Sequence, residues 1–292
     1  MSPVHTFAAP AKLNLFLHVV GRRADGYHLL ETVFQLLDYG DTLEIGVRGD
    51  GQIRRASELA GVPEAADLVV RAARALKDAT GVALGAEISV VKRTPMGGGL
   101  GGGSSDAATV LMALNHLWHL DLPRTALARI GLTLGADVPF FIFGRNAFAR
   151  GIGEELLAVD LPVRWYAVLV PPVEVPTAAI FRSPELTRNS ESVKIADFSA
   201  GAWSFPGSQF RNDLEPVACA GYEEVSRSLR WLRNFDAKAA ISARMSGSGA
   251  CVFAAFGSRE EAEAVVAGCP ADCRGFVACG LTAHPLLDLS HD

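Results

Sequence analysis

Pro95-Met96-Gly97-Gly98-Gly99-Leu100-Gly101-Gly102-Gly103-Ser104-Ser105-Asp106-Ala107-Ala108 decides how the rest of the chain is read, with six glycines in the seven positions 97–103. Glycine loses more conformational entropy on folding than any other residue and brings no side chain to pack. Such a run belongs in a packed domain where something must approach the backbone closely. Upstream lies an apolar strand, Ile88-Ser89-Val90-Val91. Downstream, Ser104 and Ser105 read as N-cap residues, and Ala107 to Leu114 reads as a helix continuing to about Trp118. A glycine loop opening on a helix start aims unpaired N–H groups and the positive end of the helix dipole at one point. That makes an anion site, most often a phosphate site. The alternative is a flexible linker, but linkers are seldom framed by a strand and a capped helix.

The loop is not of the Walker type, which needs Gly-Lys followed by Ser or Thr; no Gly-Lys pair occurs in the chain. Gly97, Gly99 and Gly102 satisfy the dinucleotide pattern G-x-G-x-x-G, a match almost automatic in such a tract. Its context is wrong. Pro95 and Met96 part the strand from the glycines, and the acidic residue expected ~20 positions on is Asp121, in a turn after a helix. A nicotinamide-dependent oxidoreductase is therefore the weaker reading. Protein-kinase signatures are absent too.

With 292 residues, 49% of them hydrophobic, the chain can bury a substantial core in one large domain or two. A net charge of −5 argues against a nucleic-acid partner. Cys219, Cys251, Cys269, Cys273 and Cys279 are odd in number and form no C-x-x-C pair, so reduced thiols in a cytoplasmic protein are expected. The start, Met1 to Thr6, does not read as a signal peptide, and no apolar run reaches the ~20 residues of a membrane span. His116 and His119 have ligand-like spacing without a third partner, so no protein metal site is expected.

Strands alternate with helices along the chain. Lys12 to Val20 reads as a strand, Leu29 to Leu37 as another, Asp38 to Asp41 as a turn, and Thr42 to Arg48 as the second arm of a hairpin. A helix over about Ala66 to Asp78 precedes the strand into the glycine loop, and a shorter one after Pro123 ends near Leu134. Asn146 to Val159 reads as a strand pair. From about Leu161 a second unit begins with the buried strand Trp165 to Val170, stopped by Pro171 and Pro172. A helix at Thr177 to Phe181 follows, then a polar stretch to Gly207 that is either a lid or a surface loop. The pattern continues with a helix from Leu214 to Leu232, a strand on each side of Gly247-Ser248-Gly249, a helix from Arg259 to Ala267 and a last strand from Gly275 to Leu281. Too few residues remain for long crossovers, which favours an α+β sandwich over a doubly wound sheet.

The motif Pro-x-x-x-Gly-Leu-Gly-x-x-Ser-Ser over residues 95–105 resembles the ATP loop of the galactose, homoserine, mevalonate and phosphomevalonate (GHMP) kinase superfamily. The fuller form is similar to the branch that phosphorylates the 2-hydroxyl of 4-diphosphocytidyl-2-C-methyl-D-erythritol in non-mevalonate isoprenoid biosynthesis. Ala11 to His18, Gly21 to His28, Gly135 to Phe141 and Met245 to Phe253 match the same branch in the same order, nearly end to end. The resemblance implies a two-domain α+β GHMP-kinase fold with the active site in the interdomain cleft. The expected division is an ATP-binding domain at 1–160 and a second α+β domain at 161–292. The implied partners are ATP, with Mg2+ held mainly by phosphates and water, and a cytidyl diphosphate sugar alcohol. A monomer or weak homodimer is expected, with neither nucleic acid nor membrane.

Phosphoryl transfer needs a phosphate cradle, positive charge and an oriented hydroxyl. Pro95 to Ser105 supply the cradle: Pro95, Met96, Gly97, Gly98, Gly99, Leu100, Gly101, Gly102, Gly103, Ser104 and Ser105. Asp137 sits between Gly135-Ala136 and an apolar run; it is a helix cap or a proton acceptor. Lys12, in an otherwise apolar strand, is an edge lysine reaching water or a functional charge. The resemblance makes Asp137 catalytic and pairs it with Lys12. It also has Tyr27 and Phe181 sandwich the cytosine, His28 hydrogen-bond to it, and Asn14 reach the sugar-alcohol hydroxyls. Taken alone, each aromatic could be ordinary core and Asn14 a strand residue paired to backbone. Gly247 and Ser248 shape the substrate side by the same resemblance. Ser248 stands where Thr is frequent, and Arg182 where Lys is, so hydroxyl and charge survive.

Overall fold

Two long antiparallel strands, β1 (Val4–Arg22) and β2 (His28–Arg48), organise the first half of the chain. They belong to a computed structural model that describes residues 3–56, 61–193 and 207–289. β1 runs along one edge of β2. Along the other edge, Thr42–Arg48 of β2 carries β4 (Gly85–Val91) and Thr32–Phe34 carries β5 (Ala147–Arg150). β3 (Ile53–Arg55) and β6 (Glu155–Ala158) close the two ends, giving six strands among the described residues.

The turn expected at Asp38 to Asp41 does not exist; β2 runs straight through it. Gly40 pairs with Pro10, and a Cβ on it would lie 2.1 Å from the Ala9 carbonyl oxygen. The glycine is there because two backbones meet closely, with the register shifting between Pro10 and Lys12. Asp41 looks like a turn residue but is buried.

Helices α1 (Leu68–Thr80), α2 (Gly102–Leu117), α3 (Arg124–Leu132) and α4 (Val138–Phe143) cover one face of this sheet. Asp67 caps α1 by accepting from Val69 N, and Gly81 ends it in the left-handed region. Period-two alternation in β2 divides its side chains: Phe34 and Leu36 face these helices, while Val33 and Leu37 face away. What they face is the second sheet, ordered β10 (Arg274–Cys279), β7 (Trp165–Val170), β9 (Val252–Phe256) and β8 (Ile241–Met245). Phe16, Phe148, Tyr166 and Phe253 fill the seam between the sheets, each contributing about 1.5–3 kcal/mol of burial.

Beyond the second sheet lie α6 (Glu215–Gly221), α7 (Glu223–Arg233) and α8 (Arg259–Ala267); α5 (Thr177–Arg182) precedes them in the chain. The single helix expected over Leu214 to Leu232 is two, because Tyr222 adopts an extended conformation after Gly221. α8 opens with a capping box between Ser258 and Glu261. The layers are helix, sheet, sheet, helix: an α+β sandwich. The C-terminal stretch then returns to the first sheet, where Leu281 N donates to Leu36 O and His284 N to Gly144 O. Of the polar stretch read as a lid or loop, 194–206 lie outside the described residues, as do Met1 and Ser2.

Candidate active site

The glycine loop is held by two other parts of the chain, β1 and the turn from Ser246 to Cys251. Lys12 N donates to Leu100 O at 2.9 Å, Ser246 Oγ to Gly99 O at 3.0 Å, and Cys251 N to Gly98 O at 3.2 Å. A Cβ on Gly99 would lie 2.1 Å from the Ser246 carbonyl oxygen, and Gly99 and Gly101 have φ near +73° and +72°. Close approach and left-handed backbone thus explain the glycines before any ligand is considered.

α2 begins at Gly102 with Gly101 as its N-cap, not at a serine. The left-handed Gly101 turns the chain into the helix, which leaves Ser104 and Ser105 inside the first turns. Ser105 is buried; its hydroxyl donates to Pro10 O at 2.7 Å and its N–H to Gly101 O at 2.8 Å. Gly97, Gly99, Gly101 and Ser104 line the cleft. Leu100 is buried between the sheets and Gly98 lies beneath Cys251, so their side-chain positions face the protein. Met96 is exposed, Pro95 enters the loop ahead of it, and Gly102 and Gly103 open α2.

Lys12 stands on β1 just past the register shift and is 3% exposed. Its ammonium donates to Asn14 Oδ1, lies 3.4 Å from Asp137 Oδ2 and sits 5.2 Å from the Phe34 ring centre. Asn14 in turn donates from Nδ2 to Thr32 Oγ1 at 3.0 Å. Asp137 occupies the N-cap position of α4, yet its side chain makes no capping hydrogen bond. It faces Lys12 instead, about one third exposed. The edge-lysine and helix-cap alternatives both fail on this geometry.

The cleft has a volume of about 990 Å³, and its floor is the β1–β2 pair. Lys12 and Phe34 lie near the glycine loop; Arg22 and His28 pair at the far end. Phe34 lies six strand steps from His28, a span of about 20 Å. At that far end the His28 and Phe181 rings pack with centres 5.0 Å apart, and Arg188 Nε donates to His28 Nε2 at 3.1 Å. Burial, then the Arg188 and Arg22 charges, lower the His28 pKa, so the ring is neutral at pH 7. Tyr27 lines the same end, 60% exposed; the ring packed on Phe181 is that of His28.

On the opposite wall, Gly247 and Ser248 sit in the turn between β8 and β9. Asn212 Nδ2 holds that turn through Met245 O at 2.8 Å and Gly247 O at 2.7 Å. The Ser248 and Thr177 hydroxyls bond to each other at 2.7 Å. Lys12, Arg22, Arg182 and Arg188 face the cleft against Asp25 and Asp137. The local field is therefore positive although the chain is not, which suits a multiply anionic ligand. Sequence reading missed Thr177, Arg188 and Asn212. Arg188 stood in the polar stretch read as lid or loop, and the others carry no local signal.

The model for the GHMP kinases N terminal domain matches residues 67–145, and that for the GHMP kinases C terminal matches 201–275. The 4-diphosphocytidyl-2-C-methyl-D-erythritol kinase of Thiobacillus denitrificans is 57% identical over 282 residues, 97% of each chain. That of Aromatoleum aromaticum is 56% identical over 278 residues, 95% of this chain and 94% of its own. A crystal structure of 4-(cytidine 5'-diphospho)-2C-methyl-D-erythritol kinase superposes with a TM-score of 0.80 at 32% identity, covering 94% of this chain and 99% of that one. Homoserine kinase from Cytophaga hutchinsonii superposes at 0.69 with 19% identity, covering 97% and 96%, a likeness of fold alone.

Proposed function

Because this chain belongs to the GHMP kinases, and within them to the 4-diphosphocytidyl-2-C-methyl-D-erythritol kinases, we propose that it moves the terminal phosphoryl group of ATP to that compound's 2-hydroxyl. The products are ADP and the 2-phosphate, an intermediate of non-mevalonate isoprenoid biosynthesis. One observation carries the reading beyond the family: a single cleft joins a glycine loop and a Lys12–Asp137 pair to an aromatic end about 20 Å away along the strands. An extended cytidyl diphosphate sugar alcohol spans such a distance, with its base at Tyr27, His28 and Phe181 and its hydroxyl at Asp137.

In this reading the loop N–H groups and the α2 dipole hold the ATP phosphates. Asp137 accepts a hydrogen bond from the attacking hydroxyl. The alcohol is a far weaker acid than a carboxylic acid, so its proton leaves late, as the bond to phosphorus forms. Lys12, 3.4 Å from Asp137, orients its carboxylate and offsets charge building on the transferred group. Asn14, bonded to the Lys12 ammonium, orients the polyol; Arg182 and the Ser248 turn receive the diphosphate side.

Among the described residues no cluster of three His, Cys, Asp or Glu forms a metal cage. A magnesium ion would arrive on ATP, held by phosphates and water, and would supply charge neutralisation there. Residues 1–160 and 161–292 form the two domains in the same proposal. So do a monomer or weak homodimer and a cytoplasmic location; no described helix is long and apolar enough to cross a membrane. The test is coupled ADP release with the cytidyl substrate, homoserine and mevalonate in parallel. Turnover with the first alone is expected; turnover with either of the others instead would overturn the assignment.

A further inference from the structure

Behind the glycine loop, away from the cleft-lining residues, three charged side chains form a buried cluster. Asp41 on β2 has no exposed side-chain surface. Its Oδ1 accepts from Arg93 N at 2.6 Å and Thr94 N at 2.7 Å, the two residues before Pro95. Its Oδ2 takes the Lys92 ammonium, which also donates to Asp106 Oδ2 at 2.8 Å. Asp106 lies early in α2, next to Ser105, whose hydroxyl ties the same turn to Pro10. The other Asp106 oxygen, Oδ1, is buried without a partner. Gly102 packs into this corner, where a Cβ would meet Thr94 Cγ2 at 2.8 Å.

We propose that Asp41 is a positioning residue for the nucleotide loop, acting through Lys92 and Asp106 to hold the loop's entry and the start of α2 in register. The inference rests on the reading that this loop binds ATP. One carboxylate fixes two consecutive N–H groups at the loop's entry and, across a shared lysine, the helix whose N-terminus faces the phosphates. Removing it leaves the buried Thr94 N–H, the half-buried Arg93 N–H and half of a lysine's coordination unmet.

The cluster has a second property. Two carboxylates share one ammonium, so with both ionised it carries a net negative charge beneath an anion site. Burial, opposed by Lys92 and reinforced by Asp41, pushes Asp106 up to about 7. Lys92 and Asp41 are the charged groups acting on it; Arg93 and Tyr39 lie beyond Asp41, stacked 4.8 Å apart. Ionising Asp106 opposes bound phosphate, so ATP binds less tightly as pH rises through that range.

The test measures KM for ATP and for the cytidyl substrate across pH, in the full chain and in Asp41→Asn and Asp106→Asn. Asp41→Asn should raise the ATP KM about tenfold and leave the other KM within about twofold. In the unsubstituted chain the ATP KM should climb with pH through about 7. That climb should be smaller in Asp106→Asn, where only ATP's own titration remains. In Asp41→Asn it should move to lower pH, because Asp106 then has Lys92 to itself. Equal rises in both KM values, as from general destabilisation, would overturn the proposal. So would an ATP pH profile identical in Asp106→Asn and the unsubstituted chain, which decides the matter even if Asp41→Asn does not fold. Titration with a non-hydrolysable ATP analogue reads the same differences without turnover, so a failed substrate assignment and a failed positioning role are distinguishable.

Discussion

The two ends of the cleft are built in different ways. At the glycine-loop end the site is backbone, stapled by hydrogen bonds from β1 and from the Ser246–Cys251 turn, with buried charges behind it. At the aromatic end it is side chains: an exposed Tyr27, and His28 and Phe181 tied together by Arg188, which also donates to Phe181 O at 3.0 Å. The glycine-loop end is preorganised, so substitutions there disturb folding and function together. The aromatic end is partly open, so substitutions there reach binding and spare stability.

The sharpest challenge to that contrast is Asp137→Ala, between the two ends in role. It should lower kcat about a thousandfold with nucleotide binding largely kept; steady-state kinetics giving a near-normal kcat would take Asp137 out of the mechanism. Gly101→Val should cost ATP affinity more than about tenfold and lower the melting midpoint too. Its Cβ would press on Phe141 at 3.0 Å, at a φ of +72°. Unchanged nucleotide affinity would mean the cradle is not preorganised by these glycines. Tyr27→Ala should raise the KM for the cytidyl substrate roughly tenfold, for the loss of about 1–3 kcal/mol of stacking. Its melting midpoint should stay put, since the ring is already exposed; a drop in stability would erase the difference between the ends.

A smaller effect lies outside both. Burial, helped by the Arg124 charge, lowers the His284 pKa from 6.5 to about 3. The unfolded chain therefore binds more protons than the folded one in that window, and stability falls as pH drops below about 6.5. His284→Asn should flatten this acid slope in thermal melts while leaving both KM values alone. An unchanged slope would place the acid-sensitive group elsewhere.

Much of the glycine-loop end was legible in the sequence because its signal is local. A glycine run between a strand and a helix has few physical explanations. Lys12 and Asp137 were legible as charges in apolar settings, but nothing in their spacing brings residues 125 positions apart into contact; the resemblance supplied the pairing, and the 3.4 Å separation is tertiary. The misread turn at Asp38 to Asp41 shows the opposite failure. Asp-Tyr-Gly-Asp has turn composition, yet Gly40 answers to a strand passing over it and Asp41 to two N–H groups more than 50 residues away. Tyr222 broke an apparently continuous helix for which the apolar periodicity gave no warning.

By itself, then, the sequence determined a glycine loop opening on the start of α2, and its motifs named the kinase family. Only the tertiary structure decided which loop residues face the cleft. Glycines are chemically alike, so Gly97, Gly99 and Gly101 are told apart from Gly98 by the β8–β9 turn pressing on one side. The same holds for Asp41 and Arg188. A carboxylate or guanidinium takes its role from the partners that meet it, and those partners come from distant strands.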